Sequence, residues 1–385
     1  MEFDLSWILL GLPLAFGLGW LASRYDLRQL REENRRAPKA YFKGLNYLLN
    51  EQQDQAIDAF IEAVQSDPDT TELHFALGNL FRRRGEYNRA VRVHEHLLAR
   101  ADLSRADRDR AQHALALDFL KAGLLDRAEE ALRRLEGTPF EAQARMALLA
   151  IYERSRDWPQ ASAIAQRMQD AQQGDFSVRL AHYLCEQAQA QAAHGDLDAA
   201  RDLLARAMQT APQAPRPHVE LARLHQRMGQ PEATLQALRA LAQAAPAALP
   251  LAAPLLVEAA SATGQQQQAL QLLQQQYAGM ASLDLLDAIV ALEAATGHDA
   301  AASRQWYVRH LESEPSLVAA TQWLATETLA HEQFHPQIQR ALEHAARPLT
   351  RYRCAACGFE ARQHFWQCPG CQSWDSYPAR RVEEL

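Results

Sequence analysis

The residues best suited to chemistry in this 385-residue chain are gathered at its end. Four of its five cysteines fall within "CAACGFEARQHFWQCPGCQSWDSYPARR", from Cys354 to Arg381. Cys354 and Cys357 form one C-x-x-C pair and Cys368 and Cys371 a second, with ten residues between the pairs. Two such knuckles bring four thiolates around one tetrahedral ion. Iron and zinc both suit four thiolates, so the spacing does not choose between them. With every position filled by cysteine, no coordination site is left for a substrate. The site is therefore structural, a recognition module, or at most an electron carrier.

This is the ligand arrangement of zinc ribbons and of rubredoxin-type iron sites. Gly358 after the first pair, and Pro369 with Gly370 inside the second, permit tight turns that aim backbone amides at the sulfurs. A module spanning residues 348–385 is too small to hold together by burial alone, so its ion would supply much of its folding energy. Tyr352, Phe359, Phe365, Trp366 and Trp374 are expected to wrap it.

Other chemical signals are weak. "HEQFH" (His331 to His335) matches the H-E-x-x-H pattern of zinc proteases, but Pro336 follows directly and the match falls in an expected capping helix. Cys185, alone in a helical pattern, reads as a small buried residue. His94 and His96 read as ordinary surface or partly buried side chains. No phosphate-binding glycine loop and no G-x-S-x-G elbow is present, and the chain is read as a non-enzyme.

The elements that would carry the cysteine module are helical repeats. Alanine, leucine, glutamine and arginine dominate the composition, and aromatic residues make up only 8%, which points to an all-α protein. Gly44, Tyr47, Ala56, Phe60 and Pro68 follow the tetratricopeptide pattern, a helix-turn-helix of about 34 residues. Gly78, Phe81 and Ala90 repeat it. The alanine marker recurs at Ala128, Ala161, Ala200, Ala269 and Ala302, with Thr234 in the slot between Ala200 and Ala269. Marker spacings are 34, 38, 33, 39, 34, 35 and 33. Five residues before most markers stands a glycine (Gly85, Gly123, Gly195, Gly229, Gly264, Gly297) where a left-handed helix end is needed. Such units stack into a superhelical solenoid whose groove binds proteins or peptides. The glutamine run Gly264 to Gln276 keeps leucines at helical spacing, so its glutamines are the solvated face of a unit.

At the other end, "LSWILLGLPLAFGLGWLA" (Leu5 to Ala22) carries no charge and is long enough for a transmembrane helix. Arg24, Arg28, Arg31, Arg35, Arg36, Lys39 and Lys43 follow it, against Asp26, Glu32 and Glu33. By the positive-inside rule the bulk of the chain faces the cytoplasm, whose reducing conditions favour metal ligands over disulfides. The expected organisation is a short periplasmic N-terminus (1–4), a transmembrane helix (5–22), a basic juxtamembrane segment (23–39), repeats with a capping helix (40–347) and the metal module (348–385). The net charge of -7 argues against a general nucleic-acid binder.

That order of parts resembles the lipopolysaccharide assembly protein B family of Gram-negative bacteria, over essentially the whole chain. The most telling local match is "YRCAACGFEA" with "FWQCPGCQSW", between Tyr352 and Trp374. The resemblance implies an inner-membrane, single-pass adaptor without catalytic activity. It would promote degradation of the lipid A pathway deacetylase LpxC by the membrane-bound AAA+ protease FtsH, and would gather other lipopolysaccharide assembly proteins. No nucleic acid and no small-molecule substrate is implied, and the cofactor is one iron or zinc ion on Cys354, Cys357, Cys368 and Cys371. Two other readings are a rubredoxin-type electron-transfer protein and a nucleic-acid-binding ribbon using Arg351, Arg353, Arg362, Arg380 and Arg381.

Overall fold

Helix pairs arise where segments such as Thr71–Arg83 and Tyr87–Ala99 carry small and apolar residues along one face and charged or amide residues along the other. The computed structural model describes Phe16, Trp20 and residues 42–66, 70–296, 300–327 and 332–385. The expected membrane span and its flanks (1–39) lie outside the described residues apart from Phe16 and Trp20, which are helical and exposed. The chain divides into two compact units, Met1–Ser155 and Arg156–Leu385.

The first unit contains α1 (described over 42–49), α2 (Gln53–Ser66), α3 (Thr71–Arg83), α4 (Tyr87–Ala99), α5 (Arg105–Ala122), α6 (Leu125–Arg133) and α7 (Glu141–Ser155). Its pairs close through small residues. A Cβ on Gly44 would sit 2.9 Å from the Phe60 ring, and one on Gly78 would sit 2.5 Å from the His94 ring. Glycine at those two positions is a matter of close approach between paired helices. His94 occupies the repeat slot that Phe60 fills one unit earlier, and it is fully buried. The expected surface or partly buried histidine is thus a core residue. Its Nδ1 lies 2.5 Å from buried Asp118, which also takes a 2.8 Å ion pair from Arg82. Those partners offset much of the cost of placing polar groups in the core.

The second unit contains α8 (Trp158–Asp170), α9 (Ser177–His194), α10 (Leu197–Thr210), α11 (Pro215–Arg227), α12 (Pro231–Ala244), a 3-10 turn and α13 (Ala253–Thr263), α14 (Gln266–Gly279), α15 (Leu283–Ala295) and α16 (Ala300–Ser313). The stretch after Pro315 contains two helices, α17 (Leu317–Ala325) and α18 (His335–Ala346), the second preceded by a 3-10 turn at Glu332–Phe334. Leu235, Leu238, Leu256, Leu270, Leu285 and Ile289 form its largest core. Pro246–Thr263 is long and apolar enough to cross a membrane, but it contributes Leu249, Ala253 and Leu256 to that core. In α14, Ala269, Leu270 and Leu273 are buried while Gln267, Gln268 and Gln271 are exposed, so the glutamine run is a solvated helix face.

Every marker whose burial is described (Ala56, Ala90, Ala128, Ala161, Ala200, Thr234, Ala269) is buried on the second helix of its unit. The slot five residues earlier is left-handed throughout the described units. Gly85, Gly123, Gly195, Gly229 and Gly264 fill it with φ between +69° and +91°, while Glu51 and Arg156 adopt +59° there. Gly297 lies outside the described residues.

Candidate metal centre

The cysteine module is built from two copies of one turn. β1 (Tyr352–Arg353) pairs antiparallel with β2 (Glu360–Ala361), and the first knuckle lies between them. There the Gly358 amide donates to the Cys354 carbonyl at 2.8 Å and the Cys354 amide to the Phe359 carbonyl at 2.9 Å. In the second knuckle the Gln372 amide donates to Cys368 at 2.8 Å and the Cys368 amide to Ser373 at 2.9 Å. The turn needs a left-handed residue at its fifth position: Gly358 (φ +77°) in one copy and Gln372 (φ +63°) in the other. Gly370, expected from sequence to relieve the second turn, is not left-handed; a Cβ there would meet the Phe359 ring at an ordinary 3.5 Å.

These turns bring the four sulfurs of Cys354, Cys357, Cys368 and Cys371 within 4.8 Å of one another. Cys354 and Cys371 sulfurs are 3.8 Å apart, and those of Cys357 and Cys368 are 3.7 Å apart. A tetrahedron with metal–sulfur bonds of about 2.3 Å has edges of about 3.8 Å. The arrangement fits one four-coordinate ion. Electrostatics point the same way. Desolvation raises the Cys354 thiol, but the Ser376 hydroxyl and the Cys357 and Ala356 amides outweigh it and bring it to about 6. The Phe359 amide lowers Cys357, yet burial and the three neighbouring sulfurs push it up to about 12. The Ser373 hydroxyl and amide hold Cys371 below the usual thiol range. The donor set is chemically suited to zinc or iron, whose charge would offset the repulsion among coordinated thiolates.

The wrapping differs from the sequence reading. Tyr352 and Tyr377 are buried with Cys354 and Cys368, and Phe365 packs on them. Tyr377, which the sequence reading missed, donates from its hydroxyl to the Phe359 carbonyl at 3.1 Å. Phe359 itself is 44% exposed. Trp366 and Trp374 face the helical repeats. Trp374 stacks on His182 of α9 at 4.6 Å and meets Trp158 edge-on at 6.0 Å. Asp375 accepts from His182 Nε2 at 2.7 Å.

The rest of the module is fastened just as specifically. Arg381 forks onto Asp284 of α15 at 2.7 and 2.9 Å and lies over the Tyr352 ring. Glu384 accepts from the Leu283 amide at 2.6 Å, and Glu383 accepts from the Leu317 and Val318 amides and the Ser316 hydroxyl. The two carboxylates thus cap the N-terminus of α15, which has no side-chain cap of its own, and add to the Ser316 cap of α17. The module packs along α9, α11, α15 and α17, because its anchoring groups find partners on all of them.

The remaining candidates resolve simply. Glu332–Phe334 is a 3-10 turn and His335 opens α18 with its Nε2 on the Leu324 carbonyl, so H-E-x-x-H does not lie on one helix; His331 is outside the described residues. Cys185 is buried and its thiol is pushed up to about 12 by burial. Arg351 and Arg353 share Glu360 and Arg381 holds Asp284, so these arginines are turned toward the protein's own carboxylates.

Comparison with known proteins follows the same outline. Residues 352–377 match the family model described as a rubredoxin metal binding domain. Lipopolysaccharide assembly protein B of Escherichia coli K12 is 30% identical, over 99% of this chain and 100% of the relative. The chain belongs to the lipopolysaccharide assembly protein B family. The Haemophilus influenzae member is 25% identical over 95% of this chain and 96% of its own length. Among solved structures, Naa15/Naa10 bound to HypK-THB aligns with TM-score 0.45 and 13% identity, covering 82% of this chain and 48% of that one. A tetratricopeptide repeat protein from Parabacteroides merdae aligns with TM-score 0.34 and 13% identity, covering 67% of this chain and 99% of that one.

Proposed function

We propose that this chain is a membrane-anchored, non-enzymatic adaptor in lipopolysaccharide assembly, with Cys354, Cys357, Cys368 and Cys371 holding one structural ion. The observation that carries the reading is full-length similarity to lipopolysaccharide assembly protein B, in a chain whose four-sulfur site leaves no position for substrate. Residues 5–22 anchor it in the inner membrane, 23–39 hold the basic cytoplasmic side, 40–347 present repeat surfaces to protein partners and 348–385 form the metal module. The client is the lipid A deacetylase LpxC and the executor the membrane protease FtsH, with other assembly enzymes gathered nearby. The ion, when bound, holds the two knuckles together; the docking groups then fix the shape of the surface that partners meet.

Anchoring raises the effective concentration of bound client at a membrane protease. The test is deacetylase half-life in cells lacking the protein, or carrying it without residues 1–22, at matched expression. Loss of the protein should lengthen the half-life, and the soluble form should restore it only in part. Unchanged turnover without the protein would refute the adaptor role. The exposed position of Cys357 and Cys371 favours a second reading, electron exchange with a partner through an iron ion. A reversible redox wave in protein purified with its native metal would support it; zinc as the native metal would exclude it.

A further inference from the structure

Where α18 hands the chain to the metal module, a hollow of about 750 Å³ is lined by His344, Arg347, Thr350, Arg351, Arg362 and Arg381, with no carboxylate in its wall. This is unusual for a chain of net charge -7. Two of the four guanidinium groups are answered from outside the hollow: Arg381 by Asp284, and Arg351 by Glu360, which Arg353 also shares. Among the described residues, no ion pair is formed by Arg347 or Arg362. The helix dipole favours a cation at Arg347, the C-cap of α18, without pairing its charge. It does not account for Arg362, which comes from the module and lines the same hollow.

We propose that this hollow binds a phosphate group. Two unanswered guanidinium charges match a phosphomonoester dianion, and arginine's planar fork suits its oxygens. The walls are already set in place. Arg381 donates to the Thr350 carbonyl at 2.8 Å, the Val382 amide donates to the Arg351 carbonyl at 2.7 Å and the Glu383 amide to Leu349 at 3.2 Å. A ligand therefore need not order the loop that receives it. The hollow also shares Arg362 and Arg381 with a second one of about 650 Å³ that Trp366 and Phe365 line, leaving room for a group attached to the phosphate.

The test uses the full chain, metal-loaded in a neutral detergent, titrated calorimetrically with inorganic phosphate and with dihexanoyl phosphatidic acid below its micelle threshold. Arg347→Ala and Arg362→Ala should each weaken saturable binding about tenfold or more. Arg347→Lys keeps the charge but loses the fork and should fall between. Arg201→Ala, which removes an exposed arginine on α10, should leave binding within about twofold. Unchanged metal content in each variant shows that the module is intact. Equal binding of the two probes supports a soluble phosphorylated ligand, and much tighter binding of the lipid supports a headgroup. Absence of saturable binding by either probe, or binding undiminished in the Arg347→Ala, Arg362→Ala double variant, would overturn the proposal.

Discussion

Trp374, three residues beyond the last cysteine, lies flat on His182, with ring centroids 4.6 Å apart and planes 22° apart. The two residues join a knuckle of the module to a helix nearly two hundred positions earlier. Around them, Trp158 and Tyr183 meet the indole edge-on, and Arg216 lies 5.7 Å from its centre. A large aromatic enclosed in this way is the usual form of an interface hot spot. Trp374→Ala should therefore cost the contact between module and helices about 2 kcal/mol or more. The ion should remain bound, since no cysteine is altered. Faster hydrogen exchange across residues 348–385 at unchanged metal content is the expected result. Unaltered exchange would show that the docking rests elsewhere.

Removing the ion should act further away. The double variant Cys368→Ser, Cys371→Ser should lose the metal, and with it an ion whose binding energy in comparable sites is about 10 kcal/mol or more. Because Glu383 and Glu384 cap α17 and α15, release of the module should also expose the Leu283, Leu317 and Val318 amides. Each lost cap is worth about 1 kcal/mol. Exchange at these three amides should speed up, while helices α2 to α6 of the first unit keep their protection. Retention of stoichiometric metal in the double variant would contradict the ligand assignment.

The repeats were legible because stacking imposes a period: small buried markers and left-handed helix ends recur where geometry requires them. The four-cysteine cluster was legible because two knuckles need a fixed local spacing. His94 was not, since a histidine in a core slot gives no signal without Asp118, its partner from the following helix. The docking of Trp374 was invisible too, because local periodicity carries no information about contacts so distant in sequence. Trp366 and Trp374 could be recognised as apolar, but not assigned to the helices rather than to the cysteines.

Glu51 and Arg156 were missed for a related reason. Neither residue type marks a turn, yet both take the left-handed conformation that glycine supplies in the other described units. A side chain there costs about 1–2 kcal/mol relative to the right-handed form. Glycine removes that strain but adds freedom to the unfolded chain, offsetting part of the gain. Arg156→Gly should accordingly raise the stability of the second unit by up to about 1 kcal/mol. Urea unfolding at constant m-value measures it. A lower midpoint would mean that the arginine makes contacts worth more than the strain.

A last prediction concerns pH. His310 of α16 is buried, with its Nδ1 2.6 Å from the Tyr277 hydroxyl, which is the donor in the tautomer that leaves Nδ1 unprotonated. Burial holds His310 below its ordinary value, against the opposing pull of Glu314 and Glu383. Burial also pushes Tyr277 up to about 12, so it remains a hydroxyl donor throughout the neutral range. In the unfolded chain the imidazole titrates near its reference value of about 6.5. The unfolded state therefore binds the proton more readily. The stabilising contribution is fully present above about 6.5 and is lost as pH falls from there through the depressed folded value. His310→Gln keeps an acceptor for Tyr277 but cannot titrate. Between about pH 7.5 and about pH 5.5, with metal saturating, the unfolding midpoint of the natural chain should fall more steeply than that of the variant. His113 and His364 are also lowered by burial, so the variant's slope should shrink without vanishing. Identical slopes in the two proteins would show that His310 takes up its proton without cost, contrary to the effect of its burial.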